Sequence, residues 1–363
     1  MGLRYAIELI GRSRSVTIHF AGAKLLKTWS HFLAFVTGLF SVSGPASGLA
    51  LAATTESYKV SANQSQDPSR EASTGEQTDN LLQRAREFLQ KGLLKDADLT
   101  VREYLDKHSN SADGHFLLGY ILFKEQKAEA SLAEYTEGAK YHDPYPSDLK
   151  IVALDYVLLN DYSGADRWLT RSVEGDPKDS ESWYYLGRTK YNENRFEEAI
   201  HAFQECLKLD SRNVKAGANL GLALEGLGRI NEAETAYRNA IAQQRNSSPK
   251  NAEPFIDLGN LLLEQNQIEN AIAQLSEARE ISPQESRTRT SLGKAYLRLN
   301  KLEEAQAELE KAVSLDPNSA GAHYLLGQVY RKKGWIEQAK TEIDRAAALN
   351  ERRPPAAKPD SRP

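Results

Sequence analysis

The chain repeats itself. Leu186-Gly187, Leu220-Gly221, Leu258-Gly259, Leu292-Gly293 and Leu326-Gly327 recur at intervals of 34, 38, 34 and 34 residues, and Leu118-Gly119 stands two 34-residue intervals before the first. Twelve residues after each glycine comes a small residue: Ala199, Ala233, Ala271, Ala305 and Ala339, with Ser131 in the upstream copy. Weaker copies, Ala85 with Ala97 and Ala153 with Ala165, keep the interval. A fixed period of this length is one supersecondary unit used many times, and such a unit cannot bury both of its apolar faces alone. The units must stack.

The spacing of large and small residues suggests what is stacked. Two antiparallel helices of about a dozen residues pack closely only where small side chains face one another. The Gly of the first helix and the Ala of the second are expected to meet there. A third small place follows seven residues after that Ala, at Cys206, Ala240, Ala278, Ala312 and Ala346, where the next unit is expected to dock. Leu186, Phe203, Leu220, Tyr237, Leu258, Leu275, Leu292 and Leu309 fill the space between.

This lettering at this period resembles the tetratricopeptide repeat. The resemblance covers 78–353 as eight units, 78–111, 112–145, 146–179, 180–213, 214–247, 252–285, 286–319 and 320–353, with a four-residue insertion from Ser248 to Asn251. The family's tryptophan at the fourth place survives as Trp183, its aromatic eleventh place holds Tyr156, Tyr296 and Tyr330, and its helix-ending proline is Pro177, Pro283 and Pro317. The first three units depart most: Arg84 replaces a leucine, and Tyr104 and Gly138 replace the small docking residue. The resemblance implies an all-α, right-handed superhelical solenoid of about eight helix-turn-helix repeats that binds protein.

Ahead of the repeats, Arg4, Arg12, Arg14, Lys24 and Lys27 precede an uncharged run from Phe32 that ends in Ala50-Leu51-Ala52. That order is the tripartite pattern of a secretory signal, so 1–52 reads as an export signal and the protein as periplasmic or secreted. The uncharged run reaches about Thr55, near the ~20 residues a bilayer span needs, so a membrane anchor over 32–55 is the alternative. Residues 53–77 are rich in Ser, Thr, Gln and Glu and read as a flexible linker, and the proline-rich stretch 354–363 as a tail. The formal charge is −4, and the first 52 residues hold five basic and one acidic residue, so without them it is −8. An acidic chain is a poor general partner for nucleic acid.

Nothing in the sequence assembles into a catalytic set. The seven histidines, His19, His31, His108, His115, His142, His201 and His323, make no His-Glu-x-x-His pair and are expected on helix surfaces or loops. The sequence carries no Gly-x-Ser-x-Gly and no phosphate-binding Gly-x-x-x-x-Gly-Lys. Cys206 is the single cysteine and occupies a docking place, which suits packing better than nucleophilic chemistry. Glu197-Glu198, Glu232 and Glu303-Glu304 open second helices, where negative charge complements the helix dipole. Gly226-Leu227-Gly228 is read as the turn between two helices. No cofactor and no metal are expected.

What remains is a surface. In the tetratricopeptide family the first helix of each unit lines the concave face, and the resemblance implies that its second, fifth, sixth, ninth, twelfth and thirteenth places point into it. Those places hold Phe116, Tyr120, Phe123, Tyr184, Arg188 and Tyr191 in units two to four, Asn219, Asp257 and Asn260 in the middle, and Arg287, Lys294, Arg298, Arg331 and Lys332 in the last two. The expectation is a non-enzymatic scaffold holding a protein or peptide with an acidic segment, serving as an adaptor or assembly factor of an envelope or secretion complex. Its rival is a structural spacer or oligomerisation module using the convex surface. A third reading leaves the aromatics in the core and the cations solvated.

Overall fold

A computed structural model describes residues 75–245 and 249–351; the basic and apolar segment through residue 52, most of the linker and the tail lie outside the described residues. Among the described residues all regular structure is helical. The chain divides into two compact units, the first ending at Asp176 and the second starting at Pro177. The first holds three helix pairs: α1 (Gly75–Gln90) with α2 (Leu94–Lys107), α3 (Ala112–Lys124) with α4 (Ala128–Gly138), and α5 (Pro146–Leu158) with α6 (Tyr162–Gly175). The second holds five: α7 (Ser180–Asn192) with α8 (Phe196–Leu209), α9 (Val214–Gly226) with α10 (Ile230–Gln243), α11 (Glu253–Glu264) with α12 (Ile268–Ile281), α13 (Ser286–Arg298) with α14 (Leu302–Leu315), and α15 (Ala320–Lys332) with α16 (Ile336–Glu351). Each unit, in its described residues, is thus an all-α stack of helix-turn-helix repeats. The linker reading of 53–77 ends too late, because Gly75–Gln77 are already helical.

Each pair is closed by the same local chemistry. Polar residues just before first helices accept backbone N–H groups that have no partner within the helix: Ser111 from Gly114, Asn213 from Ala216, Ser319 from Ala322. At the inner turn, one residue per pair takes a left-handed conformation, φ 56° to 79°, at Gly92, Gln126, Asn160, Asn194, Gly228, Asn266, Asn300 and Gly334. The following N–H reaches back five residues, as from Arg229 to the carbonyl of Leu224 and from Lys301 to that of Tyr296, both 2.9 Å, which ends the first helix and aims the second back along it. Within Gly226-Leu227-Gly228 the turn residue is therefore Gly228, at φ +71°, while Gly226 is the last residue of α9.

Inside a pair the glycine meets the small residue twelve places on, as where the Ser131 hydroxyl donates to the carbonyl of Gly119 at 2.8 Å, but that is not its nearest neighbour. The space left by each glycine is filled by the large residue sixteen places on: Tyr135 against Gly119, Phe203 against Gly187, Tyr237 against Gly221, Leu275 against Gly259 and Leu309 against Gly293. A Cβ on Gly221 would sit 2.3 Å from the Tyr237 ring. The glycine thus makes room for a ring or a leucine, and Ala199, Ala233, Ala271 and Ala305 are buried at 0% exposure. Cys206 is also fully buried, and burial pushes its thiol up to about 12, so it packs as a small apolar side chain. The acidic openings of second helices sit in the first turns of α8, α10 and α14. Glu198 is held down at about 2, first by the Arg195 hydrogen bond and then by Lys190.

Candidate binding face

First helices of neighbouring repeats touch one another: α3 with α5 in the N-terminal unit, and α7, α9, α11, α13 and α15 in succession in the C-terminal unit. Among the described residues, successive second helices do not pack to a comparable extent. First helices therefore form the inner side of each stack, and their ridge of outward places is the candidate face.

In the N-terminal unit two of the expected contact residues are core. Phe116 is 1% exposed and stacks on Tyr135 with ring centres 5.8 Å apart, and Phe123 is 4% exposed. Gly138 explains the burial of Phe116, because even a Cβ there would collide with its ring. Tyr120 is half-buried, with the Lys124 ammonium 5.5 Å from its ring centre.

The C-terminal unit shows a face of three kinds. On α7, Tyr184 and Tyr185 lie with ring centres 5.3 Å apart, Arg188 sits over Tyr184 at 5.8 Å, and Tyr191 meets Phe196 at 5.5 Å. These side chains are half-buried, and burial raises the hydroxyls of all three tyrosines. Tyr185 was not anticipated, although it occupies the sixth place of its helix. On α9 and α11 the face turns acidic with Glu225, Glu253 and Asp257. Burial raises all three carboxyls, Asp257 to about 8, with Glu253 adding to the effect and Arg287 opposing it. Asn219 donates its amide to the carbonyl of Lys215 in its own helix. Asn260 accepts from the Ser291 hydroxyl at 2.7 Å.

The five cations expected at the far end are not equivalent. Arg287 pairs with Glu253 at 3.3 Å and lies 3.7 Å from Asp257. Arg298 donates to the backbone carbonyl of Leu263, and Lys332 donates to Asn300 at 3.2 Å. These three brace one repeat against the one before it. Among the described residues, Lys294 and Arg331 make no ion pair or hydrogen bond, which leaves two of the five cations available to another molecule.

Tetratricopeptide-repeat profiles match 82–148, 180–213, 214–284, 262–313 and 320–353, and a profile described as TPR repeat matches 293–334. Protein O-mannosyl-transferase Tmtc3 of Drosophila melanogaster is 26% identical over 140 residues, 34% of this chain and 15% of that protein. The PEX5-related protein of Homo sapiens is 33% identical over 76 residues, 21% of this chain and 12% of that protein. The matches thus span only a small part of either relative. The crystal structure of a tetratricopeptide repeat protein from Parabacteroides merdae superposes with a TM-score of 0.55 at 19% identity, covering 70% of this chain and 99% of that one, a likeness of fold. Repeat profiles over 82–148 and 180–353, laid on helix pairs joined by one recurring turn, place this chain in the tetratricopeptide repeat family.

Proposed function

We propose that the chain is an exported, non-enzymatic scaffold that holds an extended protein segment along the first helices of its C-terminal unit, as an adaptor or assembly factor of an envelope or secretion complex. The observation that carries this reading is the pair Lys294 and Arg331, cations on first helices with no ion pair or hydrogen bond among the described residues, in a chain that is acidic overall. Such groups draw an acidic segment. The tyrosines of α7 supply large contact area with little rotamer freedom to lose, which is what binding hot spots use. Proteins recovered with the chain from the envelope fraction are to be retested against Lys294→Glu with Arg331→Glu, and against Tyr184→Ala. The charge reversals should slow association and weaken its salt dependence, while Tyr184→Ala should mainly speed dissociation. Unchanged binding by both, with folding intact, overturns the reading. Export is tested by intact mass, which should begin near Ala53; a chain retaining residue 1 in the membrane fraction favours the anchor over 32–55.

One observation favours the spacer or oligomerisation alternative. Ile268, which opens α12, is 5% exposed, whereas Ile336 in the equivalent place of α16 is 61% exposed, beside Trp335 at 40%. An increase in mass by sedimentation that Ile336→Asp abolishes would put this reading ahead.

A further inference from the structure

The fourth place of the first helix is a joint between repeats. Trp183 donates its indole N–H to the carbonyl of Pro177 at 3.0 Å, and Arg289 donates to that of Pro283 from both Nε and Nη2. His323 Nε2 meets the carbonyl of Pro317 at 3.1 Å, and His115 Nε2 that of Ser109 at 3.0 Å. Each acceptor lies six residues back, at the end of the preceding repeat. Three of the four side chains also hold a glutamate nineteen residues on, in the second helix of their own repeat: Arg289 with Glu308 at 2.9 Å, His323 Nδ1 with Glu342 at 2.5 Å, and His115 Nδ1 with Glu134 at 2.7 Å. Both histidines are buried, at 5% and 8% exposure, contrary to the surface or loop position expected of them.

The chemistry of the four joints differs in one respect. Arginine always has donors for both acceptors, and tryptophan needs only one. An imidazole that faces a carbonyl on one nitrogen and a carboxylate on the other satisfies both only when each nitrogen carries a proton. Whichever tautomer the neutral ring adopts, one acceptor loses its donor. We propose that His323 and His115 are proton-operated latches: doubly protonated, each ring ties the first helix of its repeat to the preceding repeat and to its own second helix, and the neutral ring gives up one tie. This goes beyond the binding reading and does not depend on it. The last repeat carries Arg331, so the His323 latch also governs how firmly one of the two available cations is held in place.

Around His323 the charged contact is Glu342 of α16, and Asp316 in the preceding turn is engaged by the N–H of Asn318. Around His115 the charged contact is Glu134 of α4, on which Arg102 of α2 also acts, with Glu137 of the same helix further off and the Tyr141 ring stacked at 6.3 Å.

The test is amide hydrogen exchange of the purified full chain at about pH 5.5 and about pH 8, the range over which histidine changes charge, corrected for the intrinsic rate. Protection of α15 and α16 should fall roughly tenfold at the higher pH, the loss of one charge-assisted hydrogen bond. His323→Arg, which copies the Arg289 joint, should keep the protection and lose its pH dependence. Glu342→Gln should also flatten it, because an amide can donate to the neutral ring that a carboxylate cannot. Equal protection of the natural chain at both values, or the same fall in His323→Arg, overturns the proposal.

Discussion

Asp155 on α5 is the most exposed to a decisive experiment, because it is the least exposed to water. Its residue is 0% accessible, neither carboxyl oxygen has a hydrogen-bond partner, and the nearby Ser131 hydroxyl donates instead to the carbonyl of Gly119 at 2.8 Å. Burial pushes the carboxyl up to about 8, against about 3.9 for a solvated aspartate. In the folded unit the group therefore stays protonated where the unfolded chain has already lost its proton. Below about pH 4 both states are neutral and the group costs nothing by ionisation. From there to about pH 8 the unfolded chain gains about 1.4 kcal/mol per pH unit, so Asp155 weakens the N-terminal unit by about 4 kcal/mol at neutral pH. Asp155→Asn keeps the shape and removes the ionisation. Urea titrations of the full chain, read by hydrogen exchange in α3 to α6, should show the two proteins equal near pH 4 and the variant progressively more stable towards pH 8. Parallel curves over that range would refute the reasoning, since every other group cancels in the difference.

Two further substitutions address the packing. Gly221→Leu forces a side chain into the Tyr237 ring, which is 0% exposed and cannot withdraw, and should cost about 1–3 kcal/mol or more in thermal unfolding. Gly226→Ala meets only the half-buried ring of Phe196, at 2.9 Å, and should cost clearly less; the opposite ranking would misplace the repeat on its helices. Glu308 is 8% exposed and holds both Arg279 at 2.6 Å and Arg289 at 2.9 Å, so Glu308→Gln should destabilise by about 2 kcal/mol and loosen α13 and α14 in hydrogen exchange.

The fold was legible because a repeat averages its own signal. One Leu-Gly pair says little, whereas the same pair at a fixed interval, with alanine twelve residues on, specifies a helix pair and its contact. What the spacing could not say is which side chain a glycine serves. The nearest side chain to Gly221 is sixteen residues away, and only the backbone path shows that Tyr237 comes down on it. The turn residues were within reach: Asn160, Asn194, Asn266 and Asn300 recur with Gly92, Gly228 and Gly334 at the repeat interval, and asparagine and glycine are the residues that tolerate a left-handed backbone. The buried histidines were harder to find, since a lone histidine on a helix carries no mark of its acceptors. The carboxylate nineteen residues after both His115 and His323 was the available signal.

The binding face was legible only as a set of places, and the reason is physical. In a stack, every polar side chain on an inner helix can be claimed by a ligand or by the next copy of the same helix, about one helix diameter away. The two demands select the same residue types, so a cation at a given place is a brace in one repeat and available in another. Arg287 and Arg298 reach the preceding first helix, and Lys332 reaches the preceding turn. Lys294, four residues from Arg298 on the same helix, reaches nothing among the described residues. Aromatics divide in the same way, with Phe116, packed on Gly138, and Phe123 buried in the core, while Tyr184, Tyr185 and Tyr191 remain half-buried. A family pattern of inward places therefore over-counts contact residues. The subset left after neighbouring repeats have made their own contacts is what a partner can use.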